Sequence, residues 1–302
     1  MAIRLPSRLA FHKYQGLGND FILVDNRHQP QPCLTPEEAA ALCNRRFGVG
    51  ADGVIFLLPG QEGADFSMRL FNSDGSEAEM CGNGIRCLAR FLQDLGIPSR
   101  DGAYQIHTLA GRIVPRVRPD GLVTVDMGIP RLLAGQIPTT LARPEERVMR
   151  QPLQVAGREW RVTAVSMGNP HCVVFLEEEG SLEELELEKV GPLFEHHPAF
   201  PERTNTEFVQ VLSPSYLRLR VWERGAGATL ACGTGACAAL VAAVLEEQAE
   251  PQATVELPGG HLEVRWDLET QHVWMTGPAL PVFSGTTAPE EVLGSQAQQE
   301  KS

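Results

Sequence analysis

The chain has 302 residues, 26 Lys and Arg against 38 Asp and Glu, a formal net charge of −12 and 43% hydrophobic residues. A chain this apolar can offset the entropy of ordering, which excludes wholesale disorder, and its length admits one large domain or two of ordinary size. The acidic balance argues against nucleic acid, because phosphate binding needs clustered Lys and Arg, and the pairs Arg45–Arg46 and Arg116/Arg118 are interleaved with apolar residues. Membrane insertion is not expected either: the longest apolar run, Ala236 to Leu245, is ten residues, and a spanning helix needs about 20. The first residues hold no hydrophobic stretch long enough for a secretory signal, so the expected compartment is the cytoplasm.

Most of the sequence reads as short strands and turns. Phe21 to Asp25, Val54 to Leu58 and Phe66 to Phe71 are compact apolar runs ended by Asn, Gly or Pro. Between the first two, Thr35-Pro36-Glu37-Glu38 predicts a helix start, with Thr as cap, Pro at the first helical position and acids in the first turn. A second helix is predicted from Gly82, with Ile85, Leu88, Ala89, Leu92 and Leu95 on one face before Gly96 and Pro98 stop it. Ile113 to Val117 and Leu122 to Met127 flank the turn Pro119-Asp120-Gly121, a hairpin signal. Strands follow at Arg158 to Met167, Cys172 to Leu176 and Tyr216 to Trp222, with a short acidic helix expected over Ser181 to Val190. The helix from Gly233 to Leu245 is apolar nearly all round and should be buried. Val255 to Leu257 and Leu262 to Trp266 enclose Pro258-Gly259-Gly260, another hairpin, and the polar tail from about Pro289 should fray.

Seven cysteines, with no CxxC and no secretion signal, point to free thiols. Zinc is disfavoured. The spacings 81/87 and 232/237 would put the thiols of each pair about 120–140° apart around a helix.

Two helix starts echo each other. Cys81-Gly-Asn-Gly and Cys232-Gly-Thr-Gly lie 151 residues apart, half the chain, and each follows a strand and a glycine-containing loop. This is the pattern of a duplicated domain. A thiol at a helix N-terminus sits where unsatisfied N–H groups and the helix dipole favour negative charge, and the same N–H groups can bind a carboxylate. If the halves face each other, a small α-amino acid can be held by its carboxylate with one sulfur on each face of the α-carbon. That arrangement suits removal of the α-proton from one face and delivery of a proton to the other. The pyridoxal phosphate route needs a Schiff-base lysine. The chain has only Lys13, Lys189 and Lys301, none inside a recognisable cofactor motif.

These two motifs, with Gly16-Leu-Gly-Asn19-Asp20-Phe, Gly48-Val-Gly-Ala-Asp52-Gly, Asn72-Ser-Asp-Gly-Ser, Met167-Gly-Asn169-Pro-His171-Cys, Asn205 and Glu223-Arg224-Gly, resemble the diaminopimelate epimerase family over most of the chain. The resemblance implies an isomerase that interconverts LL- and meso-2,6-diaminopimelate without cofactor or metal, in lysine and peptidoglycan precursor biosynthesis. It implies an α+β fold of two pseudo-symmetric domains, each a mixed or antiparallel sheet wrapped barrel-like around a central apolar helix, with the active site in the interdomain cleft. The expected halves are residues 1–127, with a returning strand at 276–290, and residues 128–275, leaving 291–302 as tail. Cys81 and Cys232 become the acid/base pair, with His171 and Glu223 tuning their ionisation. Gly82, Asn83, Gly233 and Thr234 become the α-carboxylate cradle; Asn19, Asn72, Asn169, Asn205, Glu223 and Arg224 hold the rest of the substrate. Diaminopimelate is the expected small-molecule partner, and a homodimer is expected at the level of the family.

On the residues alone, alternatives stay open. Asn19 and Asn72 read equally as turn residues, His171 as a core or loop histidine, and Glu223–Arg224 as an exposed ion pair of little energetic value. Cys87 and Cys237 read as inert packing. Gly53 stands where many bacterial members carry Gln, and Phe283 where a Tyr is often found in the dimer interface. The nearest rival is a proline-racemase-like isomerase on the same fold; a binding protein on that scaffold is disfavoured because both cysteines are present.

Overall fold

A computed structural model describes residues 8–176 and 182–288. The tail from Pro289, with Lys301, and Ser181 at the start of the predicted acidic helix lie outside the described residues. The chain divides into two compact units, one running to Val125 and taking in the residues from Pro278, the other spanning Asp126–Gly277.

The first unit holds β1 (Leu9–Gly16), β2 (Asn19–Asp25), α1 (Pro36–Cys43), β3 (Gly53–Pro59), β4 (Phe66–Asn72), β5 (Glu77–Ala78), α2 (Gly82–Asp94), β6 (Ile106–Thr108), β7 (Gly111–Ile113) and β8 (Arg116–Val117). The unit boundary falls within β9 (Val123–Asp126). The second unit continues with β10 (Gln151–Val155), β11 (Arg158–Ser166), β12 (Pro170–Phe175), α3 (Leu187–Glu195), β13 (Asn205–Ser213), β14 (Tyr216–Glu223), β15 (Gly227–Thr229), α4 (Gly233–Leu245), β16 (Gln252–Leu257), β17 (Gly260–Trp266) and β18 (Val273–Gly277). The last strand, β19 (Leu280–Thr287), pairs antiparallel with β1.

Both units repeat one strand order. In the first, β19-β1-β2-β3-β4-β6-β7 pair in the sense antiparallel, antiparallel, parallel, antiparallel, parallel, antiparallel. In the second, β10-β11-β12-β13-β14-β16-β17 pair in the same sequence of senses. A short strand, β5 or β15, hangs off the fifth strand of each path and leads into the helix. Parallel neighbours need a crossover, and the helices supply it: α1 and α3 before the fourth strand, α2 and α4 before the sixth. Thus β19 fills in the first unit the place that β10 holds in the second.

Local sequence explains most boundaries. Thr35 caps α1 in a reciprocal box with Glu38, Thr35 N–H donating to the Glu38 carboxylate at 2.7 Å, a feature that contributes about 1 kcal/mol. Pro258-Gly259 makes the turn between Leu257 and Gly260, which pair directly. The sheet of the first unit and α1 bury Ile22, Val54, Phe56 and Leu42, and the second unit gathers Trp160, Phe194 and Phe208 edge-to-face. Helix α4 is built largely of Ala and Val, so strands β11 to β14 and β16 to β18 all pack against it, and Ala236 to Ala243 are fully buried.

Two expectations shift. The predicted acidic helix begins at Leu187, not Ser181, and runs through Pro192 to Glu195. Burial of Leu187 and Phe194 sets its span rather than charge content, since packing of an apolar face is what holds a short helix. The predicted strand Ile113 to Val117 is split into β7 and β8 around Pro115, which has no N–H to give a ladder. Among the described residues no helix is long and apolar enough to cross a membrane.

Candidate active site

Each unit delivers one thiol as the cap of its central helix. Cys81 and Cys232 both have extended backbone, and each Sγ accepts the N–H three residues on, from Gly84 and Gly235, at 3.4 Å in both cases. A sulfur there lies at the positive end of the helix among N–H groups with no partner inside the helix. Both capped positions are tight for any side chain. A Cβ on Gly84 would approach Ile55 Cδ1 to 3.1 Å, and one on Gly235 would reach Glu207 Oε1 at 2.7 Å.

Around Cys81, which is half-buried, the groups are amides tied to ions. Asn19 Oδ1 lies 3.9 Å from Cys81 Sγ and accepts Asn83 Nδ2 at 3.1 Å. Asn19 Nδ2 donates to Asp52 Oδ2 at 2.7 Å, and Asn83 Oδ1 accepts the Arg86 guanidinium at 2.9 Å. Asp52 and Asp20 share Arg45, and Asp20 also pairs with the buried Lys13 at 2.7 Å. Burial alone would raise the Asp20 carboxyl, but Arg45 and Lys13 outweigh it and hold it at about 2. Asn72 ends β4 and donates to Ser76 Oγ at 2.9 Å, within its own turn. Gly53 leaves no room for a longer residue in this structure: a Cβ there would lie 2.8 Å from the Phe71 carbonyl oxygen.

Around Cys232, which is buried, the groups are carboxylates and a histidine. Thr234 Oγ1 lies 3.5 Å from Cys232 Sγ and accepts Asn169 Nδ2 at 3.3 Å. His171 is fully buried between Asn169 Oδ1 at 3.0 Å and Glu207 Oε1 at 2.7 Å. Glu223, at the end of β14, hydrogen-bonds Thr229 and Cys232, and burial pushes its carboxyl up. Burial also pushes the Cys232 thiol well up, reinforced by the charges of Glu223 and Glu207 and opposed by the Thr234 and Gly235 donors. Asn205 braces the next turn, donating to the Pro170 carbonyl at 2.8 Å and accepting Arg224 N–H at 2.9 Å, while the Arg224 guanidinium donates to the Glu202 carbonyl at 3.1 Å.

The structure therefore gathers Cys81, Gly82, Asn83 and Asn19 in one unit, and Cys232, Gly233, Thr234, Asn169, His171 and Glu223 in the other. His171 connects to Cys232 through Asn169 and Thr234, and through Glu207, whose charge acts on the thiol. Asn205 and Arg224 form a separate brace, and Asn72 turns toward Ser76. Among the described residues no group of three or more His, Cys, Asp or Glu is placed to hold a metal ion. None of the seven cysteines is in a disulfide, and burial pushes Cys33 up to about 11 and Cys43 and Cys87 up to about 12, as suits packing residues.

Sequence reasoning missed Glu207, Arg86 and the Lys13–Asp20–Arg45–Asp52 cluster. Glu207 sits two residues past Asn205 on one strand, hence on the same face, which was a usable signal. Asp20 and Asp52 stood inside the motifs without a role. Nothing in the spacing of Lys13 or Arg45 announced them.

Two sheets of one strand order, each followed by a buried helix with a cysteine as its cap, make the fold seen in proline racemase and PhzF-family structures. Solved structures share that fold: a PhzF-family phenazine biosynthesis protein of Bacillus anthracis, with TM-score 0.67 and 19% identity over 93% of this chain and 99% of its own. A hydroxyproline epimerase of Agrobacterium vitis follows with TM-score 0.63 and 15% identity over 95% of this chain and 92% of its own. The sequence goes further. The diaminopimelate epimerase family profile matches residues 11–133 and 163–282. A diaminopimelate epimerase of Synechococcus sp. (strain JA-3-3Ab) is 92% identical over 284 residues, covering 94% of this chain and all of that relative. The chain belongs to the diaminopimelate epimerase family, a family of isomerases.

Proposed function

We propose that this chain interconverts LL- and meso-2,6-diaminopimelate by proton transfer between the two cysteines. The observation that carries this reading is the repeated capping geometry: two thiols, one per unit, each at the start of a buried helix and each held by a glycine N–H at 3.4 Å. One cysteine as thiolate takes the α-proton and becomes a thiol; the resulting carbanion takes a proton from the other thiol, which becomes the thiolate. Reversing direction exchanges the roles. Backbone N–H groups at Gly82, Asn83, Gly233 and Thr234 would bind the α-carboxylate and spread the carbanion's charge into two helix dipoles. Glu223 and Arg224 offer an acceptor and a donor for the distal ammonium and carboxylate, with Asn19, Asn72, Asn169 and Asn205 completing the polar lining. In this reading the enzyme works as a cytoplasmic homodimer.

The test is direct. Reduced protein incubated with LL-diaminopimelate in D2O, with no added pyridoxal phosphate, should form meso product carrying deuterium at the inverted α-carbon. Proline, offered as the substrate of the rival reading, should show no exchange. Folded, reduced protein that exchanges no diaminopimelate α-proton would overturn the proposal.

A further inference from the structure

The amides beside Cys81 have orientations dictated from both ends. A carboxylate only accepts and a guanidinium only donates, so the 2.7 Å contact with Asp52 requires the Asn19 NH2 group there, and the 2.9 Å contact with Arg86 requires the Asn83 oxygen there. The remaining ends must then meet as Asn83 N–H to Asn19 oxygen, which is the 3.1 Å contact observed. The same Asn19 oxygen is the atom 3.9 Å from Cys81 Sγ. Arg86 is fully buried and held further by the Gly82 and Pro278 carbonyls, each at 3.3 Å, so this end of the chain cannot swing away.

We infer that Asp52 is a positioning residue for the reaction: together with Asn83 on the other side, it locks the Asn19 amide so that an acceptor, not a donor, faces the Cys81 thiol. An acceptor beside sulfur favours S–H over the thiolate. The lock therefore sets how readily Cys81 gives up its proton, acting through Asn19 without touching substrate. The inference rests on the two-cysteine reading above, but its test needs no diaminopimelate. The charged groups tied to this cluster are Asp52, Asp20, Arg45, Lys13 and Arg86, with the buried thiols of Cys43 and Cys87 behind them.

Asp52→Asn keeps the shape and can meet either end of the Asn19 amide; made in an Asn83→Ala background, against which both variants below are read, it frees Asn19 to turn its NH2 toward sulfur. Removing a negative charge would act in the same direction, so a second variant separates the two causes. Arg45 is exposed, and Asp52→Asn combined with Arg45→Met loses one charge of each sign. Iodoacetamide labelling of Cys81, resolved from Cys232 by peptide mass mapping, is followed from pH 6 to 10 in the intact protein. The midpoint for Cys81 should fall by about one pH unit in both variants, a tenfold gain in thiolate below the midpoint, with the Cys232 midpoint unmoved. A fall in the single variant that vanishes in the charge-balanced one would show charge alone at work and overturn the inference; so would no fall in either. Failure of the parent protein to epimerise diaminopimelate, with the midpoint shift intact in the variants, would instead overturn the two-cysteine reading.

Discussion

The two half-sites are matched in backbone and opposed in surroundings. Strand register makes the correspondence residue by residue: Phe21 pairs with Gly53 across β2 and β3, as His171 pairs with Asn205 across β12 and β13. Two residues on, Ile55 in the first unit takes the position of Glu207 in the second, and each lies against the glycine that fixes its cysteine. The second unit thus carries a buried His–Glu pair where the first carries Phe and Ile. In the first unit the ions stand further out, and reach the thiol through Asn19. Capping geometry belongs to the scaffold and is inherited by both halves; the ionisation environment belongs to individual side chains and has diverged. One face is suited to an amide-buffered thiol, the other to a thiol among carboxylates.

The largest expected effect tests whether both halves are needed at all. Cys81→Ala and Cys232→Ala should each lower kcat for meso-diaminopimelate formation by about 10³-fold or more, the scale of a lost general acid or base. An alanine variant retaining a tenth of full turnover would break the equivalence of the two caps. Both variants should fold, because the contacts each sulfur gives up at its helix start are weak ones.

Next in size is a transplant of one half's interior into the other. His171→Phe leaves Glu207 buried without its partner, and Glu207 Oε2 already has none. Breaking a buried pair this way should cost about 3 kcal/mol in urea unfolding. Adding Glu207→Ile reproduces the first unit's Phe–Ile arrangement and should recover at least about 1 kcal/mol of that loss, since apolar replacements of buried ion pairs are often neutral or stabilising. A double variant no more stable than His171→Phe would show that the two interiors are not interchangeable packing solutions.

How much of this was legible before the fold was known follows from range. The helix starts were legible because Cys-Gly-x-Gly is local and repeated, and the hairpin at Pro258-Gly259 because turn chemistry is local too. The shared strand order was not: the return of residues 276–290 to the first half was expected only from the family resemblance, and no short motif encodes the pairing of β19 with β1. His171 and Glu207 lie 36 residues apart and meet only because β12 and β13 run parallel. Lys13, Arg45 and Arg86 carry no pattern of their own; only the fold brings them to Asp20, Asp52 and Asn83. The span of α3 was missed because acidic composition marks a solvated face, whereas Leu187 and Phe194 in the core set the helix.

The smallest effect concerns acid stability, where the two halves should respond with opposite sign. Asp20 has an ordinary value of 3.8 and is held at about 2 in the fold. A depressed carboxyl stabilises above its unfolded value and loses that contribution as pH falls through the folded one. This amounts to about 2 kcal/mol, complete above roughly pH 5 and lost between about pH 4 and 2. The stability gap between the parent protein and Asp20→Asn should therefore shrink across that window. Glu223 is raised by burial, so its contribution is full below the usual glutamate value and fades as pH rises through the folded one. Glu223→Gln, which mimics the protonated form, should be more stable than the parent near neutral pH, with the advantage closing in acid. Urea titrations at several pH values read both gaps. If the stability of parent minus variant changed in the same direction with pH for Asp20→Asn and for Glu223→Gln, the contrast between an ion-clamped half and a carboxylate-buried half would fail.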